Sequence, residues 1–308
     1  MLRVADQPEA ARLARRRAVA GGSLLVVAAA AAAAATGVGL ARPHAPAAPR
    51  QAGTTRTDGA ALAAAATNRN LAAAWITAQV SHGVIVACDP LMCATLQRAG
   101  FPASDLDPLG TGAGDPLGSG LVVSTTALRT ELGARLATIY APMVVASFGS
   151  GQSTVAVRVT APDGGAAYLS ALHSDLLARR QAGQQLVKNR NVRVPSAGQV
   201  ALAGGQVDSR LLITIATLAH SVPVAILGFS DAGPDASAGM PLRTVSIDGA
   251  IGLPHHANYA QTVLAFLRAQ RAPYRATVAV TGAGPATRIV IEFAAPSPLG
   301  LLTGHPPS

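Results

Sequence analysis

Cys88 and Cys93 are the two cysteines of the chain, and they enclose Asp89-Pro90-Leu91-Met92. Asp89 is a good helix N-cap and Pro90 a good first helical residue, so Cys88 falls just before the cap and Cys93 one turn in. Side chains at those two positions meet in a hydrophobic staple, which makes a structural disulfide the expected pairing and an oxidising compartment its setting. Two free thiols and a redox pair are the rival readings, although the spacing is wider than in thioredoxin-like sites. Zinc would need a second pair of ligands, and the sequence holds no further cysteine.

A second cluster is Ser230-Asp231-Ala232-Gly233-Pro234-Asp235, just beyond an expected strand end, where ligand sites of α/β sheets often lie. Asp231 and Asp235, with Ser230 and His256 from a later loop, have the donor types of a hard-cation or mixed metal site. The same residues are also those any turn uses. Adjacent His255 and His256 point different ways on most backbones, so they read as capping a helix near Asn258 rather than as co-ligands.

Other motifs fall short of chemistry. Phe148-Gly149-Ser150-Gly151-Gln152 lacks the second variable position of a Gly-x-Ser-x-Gly nucleophile elbow and reads as a hairpin turn between strands. The loop Gly110-Thr111-Gly112-Ala113-Gly114 has the glycines of a phosphate cradle, but a strand rather than a helix N-terminus follows it, so a mobile loop is expected. His173 and His220 fall on expected helices, and no HExxH-type pair is present. No catalytic, cofactor or metal residue is assigned, and no cofactor is expected.

The elements that must position these residues begin with an anchor. Arg12, Arg15, Arg16 and Arg17 lead into an uncharged apolar stretch, 18–41, about 36 Å long as a helix and sufficient to cross a hydrocarbon core of about 30 Å. The basic segment 1–17 should stay cytoplasmic and everything after the anchor should lie outside. Small residues Gly39 and Ala41 leave a cleaved signal, and Arg16-Arg17 a twin-arginine signal, as alternatives. Residues 42–67 read as a flexible linker.

From about Asn68, strand and helix signals alternate: helix Leu71 to Val80, strand Val84 to Ala87, the capped helix Pro90 to Ala99, strand Leu121 to Ser124, helix Thr126 to Leu136, strand Met143 to Ser147. That order predicts an α/β unit over 68–183, three-layered with a mostly parallel sheet. Thr154 to Thr160 reads as an edge or amphipathic strand, and a helix follows from Asp163 to about Ala182. A second unit, α+β, is expected over 184–298: helix Asp208 to His220, strands Val222 to Phe229 and Leu242 to Ile247, helix Ala257 to Gln270, and a hairpin of Arg275 to Val280 with Arg288 to Phe293. Pro296 and Pro298 end it, leaving 299–308 as a loose tail.

Composition narrows the partners. Aromatics make up 3% of the 308 residues, too few for the stacking platforms of carbohydrate or single-strand nucleic-acid binding, so no nucleic acid is expected. The formal charge of +9 points to acidic partners on its face. Part of it is the N-terminal arginine cluster, and Arg129, Arg135, Arg158, Arg179, Arg180, Lys188, Arg190 and Arg193 form no run, so a dispersed, solvated charge is expected.

Trp75, the strand ending before Cys88-Asp89-Pro90, Leu121-Val122-Val123-Ser124-Thr125, and Val144-Val145-Ala146-Ser147-Phe148-Gly149-Ser150-Gly151 resemble the extracytoplasmic C-terminal domain of actinobacterial membrane glycosyltransferases. They also resemble uncharacterised single-pass actinobacterial proteins that carry such a domain alone. The resemblance implies an envelope-associated accessory domain without transferase activity, because the multi-span part is absent. Val207-Asp208-Ser209-Arg210-Leu211-Leu212 through Leu242-Arg243-Thr244-Val245-Ser246-Ile247 resembles zinc peptidoglycan peptidases. Gly239 and Ser246 stand where their His and Asp ligands would be sought, which implies an inactive relative or a coincidence. The expectation is a single-pass membrane protein of the cell envelope, facing outward, that binds an envelope protein or wall component; a cell-wall hydrolase or transferase-associated enzyme using Asp231, Asp235 and His256 is the alternative.

Overall fold

Among the described residues, ten strands form two five-stranded sheets. The computed structural model describes residues 54–110, 112, 114–230, 233–250 and 258–303, with side chains from residue 59 onward. They belong to one compact unit, Gln51–Ser308. The basic segment 1–17, the anchor 18–41, Asp231 and His256 lie outside the described residues. Among the described residues no helix is long and apolar enough to cross a membrane.

The first sheet contains β1 (Val86–Cys88), β2 (Leu106–Pro108), β3 (Leu121–Ser124), β4 (Met143–Phe148) and β5 (Val155–Val159) in the order β2-β1-β3-β5-β4. β1 pairs in parallel with β2 and β3, while β3–β5 and β4–β5 are antiparallel, so the sheet is mixed rather than mostly parallel. The reason is connection length: the Gly149 to Thr154 turn is far too short for the crossover a parallel pair requires. β5 is correspondingly not an edge strand but lies between β3 and β4, buried at every position except Arg158.

Helices cover both faces of this sheet, in agreement with three layers. Val86, Cys88, Leu121 and Val123 pack with Ala72, Ala73 and Ile76 of α1 (Thr54–Gln79) and with Met92, Cys93 and Leu96 of α2 (Pro90–Arg98). The alternate residues Ala87 and Val122 point to the other face and pack with Leu128 of α3 (Thr126–Leu132) and with Leu136, as the period-two geometry of strands requires. α1 begins at Thr54, so 54–67 of the expected linker is helical. α3 ends at Leu132 with Gly133, φ +55°, as its C-cap, short of the expected end at Leu136, and a π turn follows over Leu136–Tyr140.

The second sheet has β6 (Val192–Arg193), β7 (Val224–Ser230), β8 (Thr244–Asp248), β9 (Thr277–Thr281) and β10 (Arg288–Glu292) in the order β6-β7-β8-β10-β9. The expected hairpin is present as the antiparallel β9–β10 pair. α6 (Ser209–Ser221) contributes Leu211, Ile215 and Leu218 to its core, and α7 (Tyr259–Arg268) contributes Val263 and Leu267.

α4 (Gly165–Val187) runs through the expected boundary between 183 and 184 and joins both halves. It crosses α5 (Ser196–Ala203), a helix without a sequence signal, at Gly183, where a Cβ would come within 2.2 Å of the Leu202 carbonyl oxygen. The segment after β10 returns to the first half: Ala295 bridges Val80 and is buried in the first core, and the Gly300 amide donates to Asp175. The tail is therefore docked as far as Thr303 rather than loose from 299.

Candidate functional site

β1 and β3 are parallel neighbours, and β1 feeds α2 onto one face of the sheet while β3 feeds α3 onto the other. The gap between the carboxyl ends of β1 and β3 is therefore a topological switch point, the usual place for ligands in open α/β sheets. Cys88-Asp89-Pro90 and Ser124-Thr125-Thr126 meet there.

The Cys88–Cys93 disulfide is present, with a Cα–Cα distance of 5.4 Å, and both residues are buried. The cap works as the spacing implies: Asp89 Oδ1 accepts from the Leu91 and Met92 amides at 3.0 Å each. Its other oxygen accepts from the Thr125 hydroxyl, and Thr125 is itself the N-cap of α3, so the two helix starts are tied together. Arg129 completes the edge. Its Nη1 donates to the carbonyls of Ser124 and Thr154 at 3.0 and 2.7 Å, and its Nη2 to Thr126 Oγ1 and the Gln152 carbonyl at 3.1 and 2.8 Å. Burial lowers the Arg129 pKa from its ordinary value.

The Gly149 to Thr154 turn belongs to the same edge and is the hairpin expected from its sequence. Asn68 of α1 holds it by donating to the Ser153 carbonyl and hydroxyl at 2.9 and 3.2 Å. Gly149, at φ +78°, cannot be replaced without conflict, because a Cβ would lie 2.0 Å from the Asn68 amide nitrogen. Leu91, 54% exposed, stands outward at the disulfide-pinned start of α2. The glycine loop after β2 is followed by a 3₁₀ turn and then β3, so it lacks the helix start of a phosphate cradle; the Gly112 amide donates to Glu131.

Asp235 has a different position. It is exposed, at φ +49°, in the β7–β8 loop, which lies along the outer edge of β4. There the Ser147 amide donates to the Pro234 carbonyl at 2.8 Å, the Ser237 amide to the Val144 carbonyl at 2.9 Å, and the Val144 amide to the Ser237 hydroxyl at 3.0 Å. The loop thus covers backbone groups of an edge strand that would otherwise offer themselves to another chain. No group of three His, Cys, Asp or Glu side chains suited to a metal occurs among the described residues. His82, His173 and His220 are all exposed.

The charges differ most from expectation. Arg179, expected to be solvated, is fully buried and pairs with Asp175 at 2.7 Å. It also donates to the carbonyls of Gly205 and Gly239. Asp175 accepts from Ser209 Oγ and from the Gly300 amide at 3.3 and 3.1 Å. Arg210 pairs with Asp208 at 2.8 Å, reaches the Ala294 carbonyl, and lies over the Phe293 ring at 4.8 Å. Burial opposes the Asp208 charge, yet the Arg210 guanidinium and its hydrogen bonds hold that carboxyl below the usual range. Arg243 is buried, donates to the Phe293 carbonyl and lies 5.7 Å from the centre of the Trp75 ring. A spacing signal for Arg179 existed: the buried positions of α4 are Gly165, Leu172, Asp175, Arg179, Gly183 and Leu186, a helical stripe that carries the ion pair inward.

No family model, curated protein or solved structure matches this chain.

Proposed function

We propose that the chain is a membrane-held, extracytoplasmic cell-envelope protein whose folded unit binds an envelope protein or wall component without reacting with it. The observation that carries this reading is the buried Cys88–Cys93 disulfide at the start of α2. Disulfides persist in oxidising compartments, and an arginine-flanked apolar segment at 18–41 would deliver the domain to one. The resemblance of 75–159 to an extracytoplasmic glycosyltransferase domain points the same way.

The edge suits binding. The Asp89 carboxylate is committed to two amides and a hydroxyl, and Arg129 to three carbonyls and a hydroxyl, so neither is poised to move a proton. What faces outward is Leu91 and the Gly149 to Gln152 turn, a rigid surface with one apolar anchor.

The test is fractionation of cells expressing the full chain, with capture of partners from native membranes by the wild type and by Leu91→Asp. Membrane recovery, blocked thiols and a partner lost in the variant are expected. A cytosolic chain with free thiols, capture indifferent to Leu91→Asp, or stoichiometric zinc with no partner would overturn the reading.

A further inference from the structure

A cleft of about 590 Å³ opens between the end of β5, the first turns of α4 and the segment after β10. That volume lies within the range of small-molecule sites. Its walls are mainly apolar, with Ala161, Ala167, Ala171, Pro296 and Leu299 among them. Three further groups give it chemical character: Asp163 at the turn before α4, Tyr168, and Asp175.

The charge pattern is one-sided. No lysine, arginine or histidine lines the cleft. The Asp175 charge is balanced by Arg179, which does not line the cleft but pairs with it from within the core. Asp163 is exposed, and no ion pair is formed to it among the described residues. Tyr168 makes no hydrogen bond through its hydroxyl among the described residues, which leaves a neutral phenol free to accept or donate in the cleft.

We infer that this cleft is a binding site for a small apolar amine, its hydrocarbon body against the alanine and proline walls and its ammonium group directed to Asp163 and the Tyr168 hydroxyl. Anions are disfavoured, since a carboxylate or phosphate entering here meets the uncompensated Asp163 carboxylate and no lining cation. The site is separate from the switch-point edge, and its test does not depend on a macromolecular partner.

The experiment is ¹⁹F NMR titration of the full chain in lipid nanodiscs with three probes of nearly equal shape: 4-fluorobenzylamine, 4-fluorobenzyl alcohol and 4-fluorobenzoate. The amine is expected to bind most tightly, about tenfold ahead of the benzoate. Asp163→Asn should weaken the amine by about two- to fivefold, the range of an exposed ion pair, and leave the alcohol unchanged. Ala171→Trp, a replacement at an exposed wall position, should abolish binding of all three, and the same probes with empty nanodiscs correct for uptake by lipid. Benzoate binding as well as the amine, no probe binding, or an amine affinity unmoved by Ala171→Trp would each overturn the inference.

Discussion

Asp89 and Asp175 are both buried carboxylates saturated with hydrogen bonds, yet they hold different things together. Asp89 accepts from Leu91, Met92 and Thr125, all neutral donors at the mouth of one sheet. Asp175 accepts from Arg179, Ser209 and Gly300, gathering two helices and the C-terminal segment around a full ion pair. The first is a local device that sets the start of two helices. The second is a long-range one, in which the loss of either charge strands the other in the core. Similar-looking acids therefore differ in what their removal should cost.

The largest effect is expected at the ion pair. Arg179→Ala leaves Asp175 charged and buried without its partner, a loss of roughly 3–5 kcal/mol by urea unfolding. Replacing both residues together, Asp175→Leu with Arg179→Met, should recover part of it, because an apolar pair removes the stranded charge while the Ser209 hydroxyl, the Gly300 amide and the Gly205 and Gly239 carbonyls lose their partners. A loss below about 1 kcal/mol in the single variant, the scale of an exposed pair, would erase the contrast with Asp89.

Acid and alkali probe the same side of the comparison. The Asp208 carboxyl is held below its usual range, so its contribution is complete above about pH 3.9 and is lost as pH falls through the lower folded value. Tyr168 and Tyr259 run the other way: burial first, then Asp175 and Asp248 respectively, pushes their phenols up to about 12. Their contribution is complete below the ordinary value of about 10 and is lost as pH rises through the folded one. Unfolding midpoints measured across both ranges should fall at each end, and Asp208→Asn should remove its share of the acid limb.

The disulfide ranks next. Cys88→Ala with Cys93→Ala opens a very short loop, for which chain entropy gives about 2 kcal/mol. Wild type in reductant should approach the double variant, and a wild type indifferent to reductant while the variant is weak would show that packing of the two side chains, not the bond, supplies the stability.

These ranks follow how much of each region the sequence displays. The disulfide, the Asp89 cap and the Pro90 start were legible because all their parts lie within six consecutive residues, where helix geometry alone fixes who meets whom. β3 and the β9–β10 hairpin were legible for the same reason of local pattern. β5 reads as an edge or amphipathic strand because Arg158 breaks its apolar run; the structure places it inside the sheet, turns that guanidinium to the carbonyls of Ala141 and Pro142 and lowers its pKa by burial. Arg179 was legible only in its helical stripe with Asp175; its further partners Gly205 and Gly239 lie in distant loops whose positions only the assembled fold determines. α5 carries no cap: Pro195 precedes it without a side-chain hydrogen bond, and its packing against α4 supplies what local signals lack.

The smallest effect is expected where the β7–β8 loop lies on β4. Ser237→Ala removes the acceptor of the Val144 amide but leaves the Ser237 amide bonded to the Val144 carbonyl, so about 0.5–1.5 kcal/mol should be lost. Hydrogen exchange should quicken at Val144 first, because the loop acts there as a substitute strand along an open edge. An Asp235→Asn variant, which keeps a side chain suited to the left-handed backbone at φ +49°, should by contrast leave stability unchanged, its carboxylate being exposed in a loop whose contacts with β4 are made through the backbone of Pro234 and through Ser237. Should Asp235→Asn destabilise as much as Ser237→Ala, that carboxylate has a partner of its own, and the loop does more than cover the edge of β4.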